Sequence, residues 1–393
     1  MAYVLLREPT YSETFIWSEI NAVRAAGAEV GLFFARSRQQ SRRAEAVGAF
    51  RTLMSHPARL PGQVGRLGAS YGARAVLAGA YATALTPQVR QFRPDVVHTH
   101  FLNLPTAVAV LVADRLGVPV TALAHAADFL LDDNPAALDR RVTALAHLFV
   151  ISAAAAAQLR MKGVDLTRVP HSVARAAFDG EFVDRPAPAH GGEVRLVTIA
   201  RLIEKKGIDT ALEAVARLAQ AGHRVRYDVY GDGPQGERLR QAVAASPLLA
   251  SSVTLHGATP HAEAMRGLAA ADLAVLPCRR AANGDVDGIP VFLMEAAARG
   301  VPVVTTAVSG IPELVDTGSG WLVPPDDPDA LAAAIAHAGG APGEALRRSA
   351  ALRDRIRTEF APGLQAERLL GTWSSLVERS ARTAEAERTG QVG

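Results

Sequence analysis

The sequence predicts an α/β protein made of two doubly wound, Rossmann-like domains. Three observations predict it. Short β-branched apolar runs alternate with helical patterns along the chain, as in parallel sheets with right-handed crossovers. The alternation breaks once, over residues 178–192 (FDGEFVDRPAPAHGG), which hold prolines and glycines without periodicity, and then starts afresh. Finally, 393 residues with 49% apolar content exceed one ordinary core and suffice for two.

In the first half the strand-like runs are residues 3–6, 29–35, 95–100, 118–125 and 147–152. Helical patterns lie between them at 14–26, 105–116 and 135–146, and residues 41–93 read as helices inserted between two strands. In the second half, strands are expected at 194–200, 224–230, 252–256, 273–277 and 301–306, with helices at 209–221, 236–245, 262–270 and 291–299. The expected division is a first domain over 1–180, a linker over 181–192, a second domain over 193–361, and a polar helical tail over 362–393. That tail is expected to pack back on the first domain and to fray at its end. Open sheets of this kind bind ligands outside the carboxyl ends of their strands, so the expected site is a cleft between the two domains.

Charge narrows the function classes. The net charge is only +3, but residues 36–74 carry eight arginines, no lysine and one acid, Glu45. A solvated helical face is one reading of that run, and a patch for anionic lipid heads or a phosphorylated acceptor is the other. Aromatics are sparse among these arginines and no nucleic-acid motif is present, which argues against nucleic acid. One cysteine, Cys278, excludes an intrachain disulfide and a cysteine-built metal site. The first residues lack a signal-peptide pattern, and no uncharged apolar run reaches about 18 residues. A cytoplasmic protein, at most peripheral at the inner membrane face, is therefore expected.

Three segments of the second half carry chemistry. In residues 283–306 (NGDVDGIPVFLMEAAARGVPVVTT) a Gly288-Ile289-Pro290 turn leads through Val291 into a helix. Free N–H groups and the helix dipole there form an anion site. Asp287 stands before the turn, at the expected place of a sugar and its first phosphate. Glu295 follows eight positions later, within an apolar stretch, where a carboxylate can accept from the vicinal hydroxyls of a ribose. In residues 198–207 (TIARLIEKKG), Arg201 at a strand end and Lys206 at a helix start can neutralise a diphosphate leaving group. Lys205 between them is expected to face solvent. In YGDGPQG, Gly231, Gly233 and Gly236 match G-x-G-x-x-G. The pattern follows the second strand of its domain, though, not the first, and Pro234 interrupts it. A tight turn near a nucleotide is a better reading than a nicotinamide or flavin site.

In the first half, His125 ends a strand in AHAADF, with Asp128 just beyond, and is expected to reach into the cleft toward a sugar or acceptor. Residues 9–16 (PTYSETFI) join the first strand to a helix. Ser12 or Thr14 can cap that helix, and Glu13 can cap it or face the site. His98 and His100 alternate in DVVHTH. With no third ligand spaced near them, metal binding is not expected.

The order and spacing of RLIEKKG, VYGDGP, LHGATPHAEAMRGLAAADLAVLPC, DGIPVFLMEAAARGVPVVTT and SGIPELVDTGSGWLVPPDDPDALAAAI resemble the retaining glycosyltransferases of family four, which have the GT-B fold. The likeness covers the second domain. SETFI, DVVHTHF and AHAADF resemble the colanic-acid and exopolysaccharide branch of that family. The resemblance implies that Arg201 and Lys206 hold a donor diphosphate, Glu295 a ribose, and Asp287 with the following backbone (Gly288 to Val291) the donor sugar and phosphate. Gly231 then lies beside the nucleotide and His125 beside the reacting sugar. Ser12, Glu13, Thr14, His100 and Asp128 are candidates for an acceptor or catalytic loop, which the resemblance does not carry over residue by residue. It further implies retention of configuration, no divalent metal and no cofactor.

Two departures stand out. The first acid is Asp287 where the family usually has glutamate, and REPTYSETF replaces the usual glycine-rich loop after the first strand. The expected partners are a nucleotide diphosphate sugar, with UDP ahead of GDP, and a saccharide, lipid-linked or small-molecule acceptor. Rival readings are a sugar-nucleotide epimerase, a phosphorylase, or a non-catalytic nucleotide-sugar-binding protein on the same fold.

Overall fold

The computed structural model describes residues 1–9, 13–36, 73–132, 134–184 and 192–390. Ser12, six arginines of the basic run (38, 42, 43, 51, 59 and 66) and most of the Pro/Gly-rich linker lie outside the described residues. The chain divides into two compact units, Met1–Ala177 with Pro362–Gly393, and Phe178–Ala361.

The first unit runs β1 (Ala2–Leu5), α1 (Thr14–Ala25), β2 (Gly31–Phe34), α2 (Ala73–Phe92), β3 (Val97–His100), α3 (Leu104–Leu116), β4 (Val120–Ala124), α4 (Ala126–Leu130), α5 (Pro135–Thr143), β5 (His147–Val150), α6 (Ala153–Met161) and β6 (His171–Val173). Local chemistry sets several boundaries. Asn134 and Ser152 cap α5 and α6 by accepting from Ala137 N and Ala155 N, each at 3.0 Å. Gly117, in the left-handed region, ends α3. Glu13 is the residue before α1 but makes no side-chain cap, and Thr14 already lies in the helix, so Thr14 does not cap it. The parallel sheet has strand order β2-β1-β3-β4-β5-β6, which reverses between β1 and β3. β6, three half-buried residues, is too short to show a period.

The second unit runs β7 (Val194–Ile199), α7 (Ile208–Gln220), β8 (Val225–Tyr230), α8 (Gly236–Ala245), α9 (Pro247–Ser252), β9 (Val253–Gly257), α10 (His261–Ala270), β10 (Leu273–Leu276), α11 (Val291–Ala298), β11 (Val303–Thr306), α12 (Ile311–Leu314), β12 (Trp321–Val323), α13 (Pro328–Gly340) and α14 (Pro342–Glu359). Helix α7 shows how pattern becomes packing. Ile208, Ala211, Leu212, Val215 and Leu218 recur at helical spacing, and all five are buried in one core cluster. The sheet order β12-β11-β10-β7-β8-β9 is parallel and reverses between β7 and β10.

One boundary differs from the sequence reading. Residues 178–183 are not the end of the first domain and the start of a linker: they pack on the second unit. Phe178 lies in its core, Phe178 N donates to Phe360 O (2.9 Å) and Val183 N to Ala298 O (3.0 Å). Phe178 and Phe182 are isolated aromatics in a polar stretch, so no period marks them. The last helix, α15 (Pro362–Gly390), belongs to the first unit. Its buried Trp373 donates from Nε1 to Thr121 Oγ1 (3.0 Å) and meets Tyr3 and Phe149 edge-on. Among the described residues, no helix is long and apolar enough to cross a membrane.

Candidate functional site

In the second unit, the reversal of strand order leaves room at the carboxyl ends of β7 and β10, and the charged residues gather on the two loops that leave those strands. After β7 comes a single 3-10 turn, Glu204–Lys206, closed by Gly207 at φ +65°. A Cβ on Gly207 would stand 1.9 Å from the carbonyl oxygen of Pro277, so the lysine turn can pass β10 this closely only with glycine. The loop after β10 then grips the turn. Arg279 N donates to Lys205 O (2.9 Å), Arg279 Nε to Glu204 O (3.1 Å), and its guanidinium bonds Asp209 at 2.8 Å.

This clamp brings Lys206 Nζ to 2.6 Å from Asp287 Oδ2 and Lys205 Nζ to 3.3 Å from Asp287 Oδ1. Lys205 also pairs with Asp285 at 3.0 Å. The expectation that Lys205 faces solvent is therefore wrong: its side chain is only 14% exposed, because two acids from the facing loop cover it. Burial works against both charges of the Lys206–Asp287 pair. Mutual attraction overrides it, holding the ammonium above and the carboxyl below their ordinary values. The buried Cys278 thiol donates to Asp287 (3.4 Å), and burial pushes that thiol well up, so it stays protonated. Arg201, by contrast, is exposed on the same loop.

Behind Asp287, Pro290 is the residue before α11, one position earlier than its expected place in the first helical turn. Gly288 and Ile289 are part-exposed, and Val291 opens the helix exposed. Glu295 is 20% exposed, with His261 of α10 3.9 Å away, and burial raises its carboxyl. Gly231 ends β8 at φ +132°, where a Cβ would stand 1.9 Å from Ala200 O, so the β8 turn sits directly against the end of β7. The arrangement offers cations, an unpaired helix end and a half-buried carboxylate along one edge of one sheet, which suits a diphosphate flanked by hydroxyl-bearing sugars.

The first unit uses its own reversal point differently. A cavity of about 300 Å³ opens beside the ends of β1 and β3, lined by Leu5, Arg7, Glu13, His100, Phe101 and Asp128 among others. Glu13 pairs with Arg7 at 2.9 Å. Asp128 accepts from Leu102 N and from His125 N (3.2 Å), and burial raises its carboxyl to about 7. The ring of His125 lies 4.7 Å from those of Phe15 and Phe101, and Phe101 holds the unusual φ of +71°.

Below His125 lies a group that sequence reasoning missed. His125 Nε2 is 3.1 Å from His100 Nδ1, and His100 Nε2 is 3.1 Å from Glu19 Oε1, which also accepts from Tyr3 OH at 2.8 Å. His98 Nε2 stands 3.5 Å from the same oxygen, an ion-pair distance and not a directed hydrogen bond. The signal for Glu19 was present: it sits between Ile16, Ile20 and Val23 on the buried stripe of α1. The premise that the histidines lack a third ligand is thus corrected, since Glu19, His98 and His100 could together hold a metal ion. Hydrogen bonds also hold the cluster without one, at every ring nitrogen but His98 Nε2. Tyr3 shares the carboxylate oxygen, and the outer nitrogens of His98 and His100 meet Thr121 (2.7 Å) and His125.

Two family descriptions match the chain, Glycosyltransferase Family 4 over residues 12–174 and Glycosyl transferases group 1 over 193–338. The chain belongs to glycosyltransferase family four. Its curated relatives include a protein of Salmonella typhimurium assigned as the colanic acid biosynthesis glycosyltransferase WcaL, 42% identical over 175 residues. That match spans 44% of this chain and 40% of WcaL, so the family-four chain is aligned to less than half the length of this relative. Among solved structures, sucrose-phosphate synthase of Thermosynechococcus elongatus superposes with a TM-score of 0.72 at 17% identity, over 96% of this chain and 100% of its own. Anabaena HepE in complex with UDP gives 0.69 at 18%, over 95% and 100%. The fold of the family-four chain is accordingly GT-B. These matches do not favour an epimerase, a phosphorylase or a non-catalytic binder.

Proposed function

We propose that this chain is a retaining, metal-independent glycosyltransferase of exopolysaccharide synthesis, taking a sugar from a nucleotide diphosphate sugar held by the second unit. The observation that carries the reading is the lysine turn of Lys205 and Lys206 facing Asp287, one turn ahead of α11, at the strand reversal. In the free chain Asp287 neutralises Lys206. A bound diphosphate competes for the lysines with more charge and more acceptor oxygens, and releases Asp287 to accept from sugar hydroxyls. Arg201 closes on the diphosphate from solvent, and Glu295 accepts from the ribose.

Transfer breaks the bond from the anomeric carbon to the phosphate oxygen and forms the bond to the acceptor oxygen on the same face. The acceptor's proton passes to the departing phosphate, so no enzymic nucleophile is needed. His125 and the cavity of the first unit serve the reacting sugar and its acceptor. A uridine diphosphate sugar is the first donor to test, because HepE of the same fold carries UDP, and guanosine diphosphate sugars come second. The name of WcaL supports a saccharide acceptor of the exopolysaccharide kind, and the arginine-rich run of the sequence suits one presented on an anionic lipid. Titration calorimetry with EDTA present should show saturable binding of one such donor. Heat absent across the whole donor panel would sink the assignment.

A further inference from the structure

We propose that the first unit binds one divalent transition-metal ion, with zinc the first candidate, on Glu19 Oε1, His98 Nε2 and His100 Nε2. This site lies beyond the transferase reading: the diphosphate chemistry of the second unit makes no use of it. Its role is to tie α1 to β3 beneath the cavity of the first unit.

The three ligands come together for reasons of period. His98 and His100 stand two apart on β3, so the strand turns both rings to one face of the sheet. Glu19 reaches the same place from the buried stripe of α1. The three donor atoms lie within 4.8 Å of one another. Glu19 Oε1 stands 3.1 Å from His100 Nε2 and 3.5 Å from His98 Nε2. Zinc bonds of about 2.0–2.2 Å at tetrahedral angles hold ligand atoms about 3.3–3.5 Å apart, so these two spacings need little change to admit an ion.

The observation that points to a ligand is His98 Nε2. It is fully buried, it faces Glu19, and it has no hydrogen-bond partner. A buried polar atom is rarely left so, because its bonds to water have been given up with nothing in return. An ion supplies the missing partner. The surrounding groups already stand where they hold such ligands in place. His98 Nδ1 is 2.7 Å from Thr121 Oγ1, His100 Nδ1 is 3.1 Å from His125 Nε2, and Tyr3 OH donates to Glu19 at 2.8 Å. Metal-bound histidines are oriented by such a contact at the far nitrogen, and metal-bound carboxylates by a hydrogen bond.

The ligand set selects the ion. Two imidazole nitrogens and one carboxylate oxygen suit zinc and its first-row neighbours, whereas magnesium and calcium need shells built of oxygen. Glu19 supplies the negative ligand that a buried dication requires. Three protein ligands leave one position for a water, and His100 also lines the cavity, which gives ion and water a way in.

Cobalt(II), whose visible absorption reports sites of low coordination number, is the probe. Titrated into the untagged full chain after dialysis against a chelator, it should bind at one equivalent and be displaced by one equivalent of zinc. Absence of cobalt binding overturns the proposal. Glu19→Gln and His98→Phe should each weaken binding at least about a hundredfold, and Thr121→Val, which loses only an outer contact, about tenfold. Binding undiminished in both ligand variants means an adventitious surface site and overturns the proposal as well. Should those variants fail to fold, the wild type still decides. The Trp373 indole donates to Thr121, and its ring centre lies 5.2 Å from that of His98, so bound cobalt should broaden its N–H resonance beyond detection. An unaffected Trp373 resonance at saturating cobalt puts the ion elsewhere and overturns the site. No sugar donor enters these measurements, so their failure leaves the transferase reading standing.

Discussion

The two units share one topological device and fill it with opposite chemistry. Each is a six-stranded parallel sheet that reverses strand order once, between β1 and β3 in the first and between β7 and β10 in the second. At the second reversal stand lysines paired with acids on clamped loops: Lys205 and Lys206 with Asp285 and Asp287. At the first stand two hydrogen-bonded imidazoles, His100 and His125, beside a cavity of mixed lining, with one carboxylate, Glu19, buried beneath and another, Asp128, raised to about 7. A parallel sheet supplies only a place where two loops part. What binds there depends on which side chains the loops carry and how far they are from water.

The sharpest way to break this contrast is to remove the charge. Lys206→Ala should lower kcat/KM about 10²–10³-fold, as loss of a group that stabilises developing phosphate charge does. A drop under threefold would mean the diphosphate sits elsewhere. Next, Glu295→Ala should weaken nucleotide diphosphate binding by about 1–3 kcal/mol in calorimetry, while His125→Ala should leave that affinity unchanged and reduce turnover. Equal affinity losses in both variants would dissolve the division of labour between the units.

A last expected effect is on stability. Asp128 has a folded-state value near 7, above its unfolded value, so the folded chain holds a proton there that the unfolded chain has lost. Its contribution is fully present below about pH 4 and is lost as pH rises through 7, with a slope of at most about 1.4 kcal/mol per pH unit. Urea unfolding at a series of pH values should show that decline, and Asp128→Asn should flatten it. A wild-type profile that rises across this window through Asp128 would show that the carboxyl is ionised when folded.

Legibility in the sequence tracked the distance over which each feature is decided. The strands and helices of the second unit follow from periodicity, as in α7, where apolar residues recur at helical intervals. The turn at Gly231 and the approach of Asp287 to a helix start were readable from spacing. Lys205 was misread because nothing near it in sequence shows that Asp285 and Asp287 lie across from it. Glu19 was missed though it interrupts an apolar stripe: its meaning depends on His98 and His100, about eighty residues away. Phe178 was assigned to the wrong unit for a similar reason, since its partners lie near Phe360.

Taken alone, the amino-acid order determined that there are two parallel α/β units, roughly where they divide, and which segments carry the charged residues proposed to meet a diphosphate. These depend on backbone geometry and side-chain intervals within one or two turns. Only the tertiary structure decided which cation pairs with which acid, and that a buried glutamate stands behind two histidines. Ion pairing and hydrogen-bond direction are settled over about 3 Å, between groups that the chain brings together from far apart in sequence.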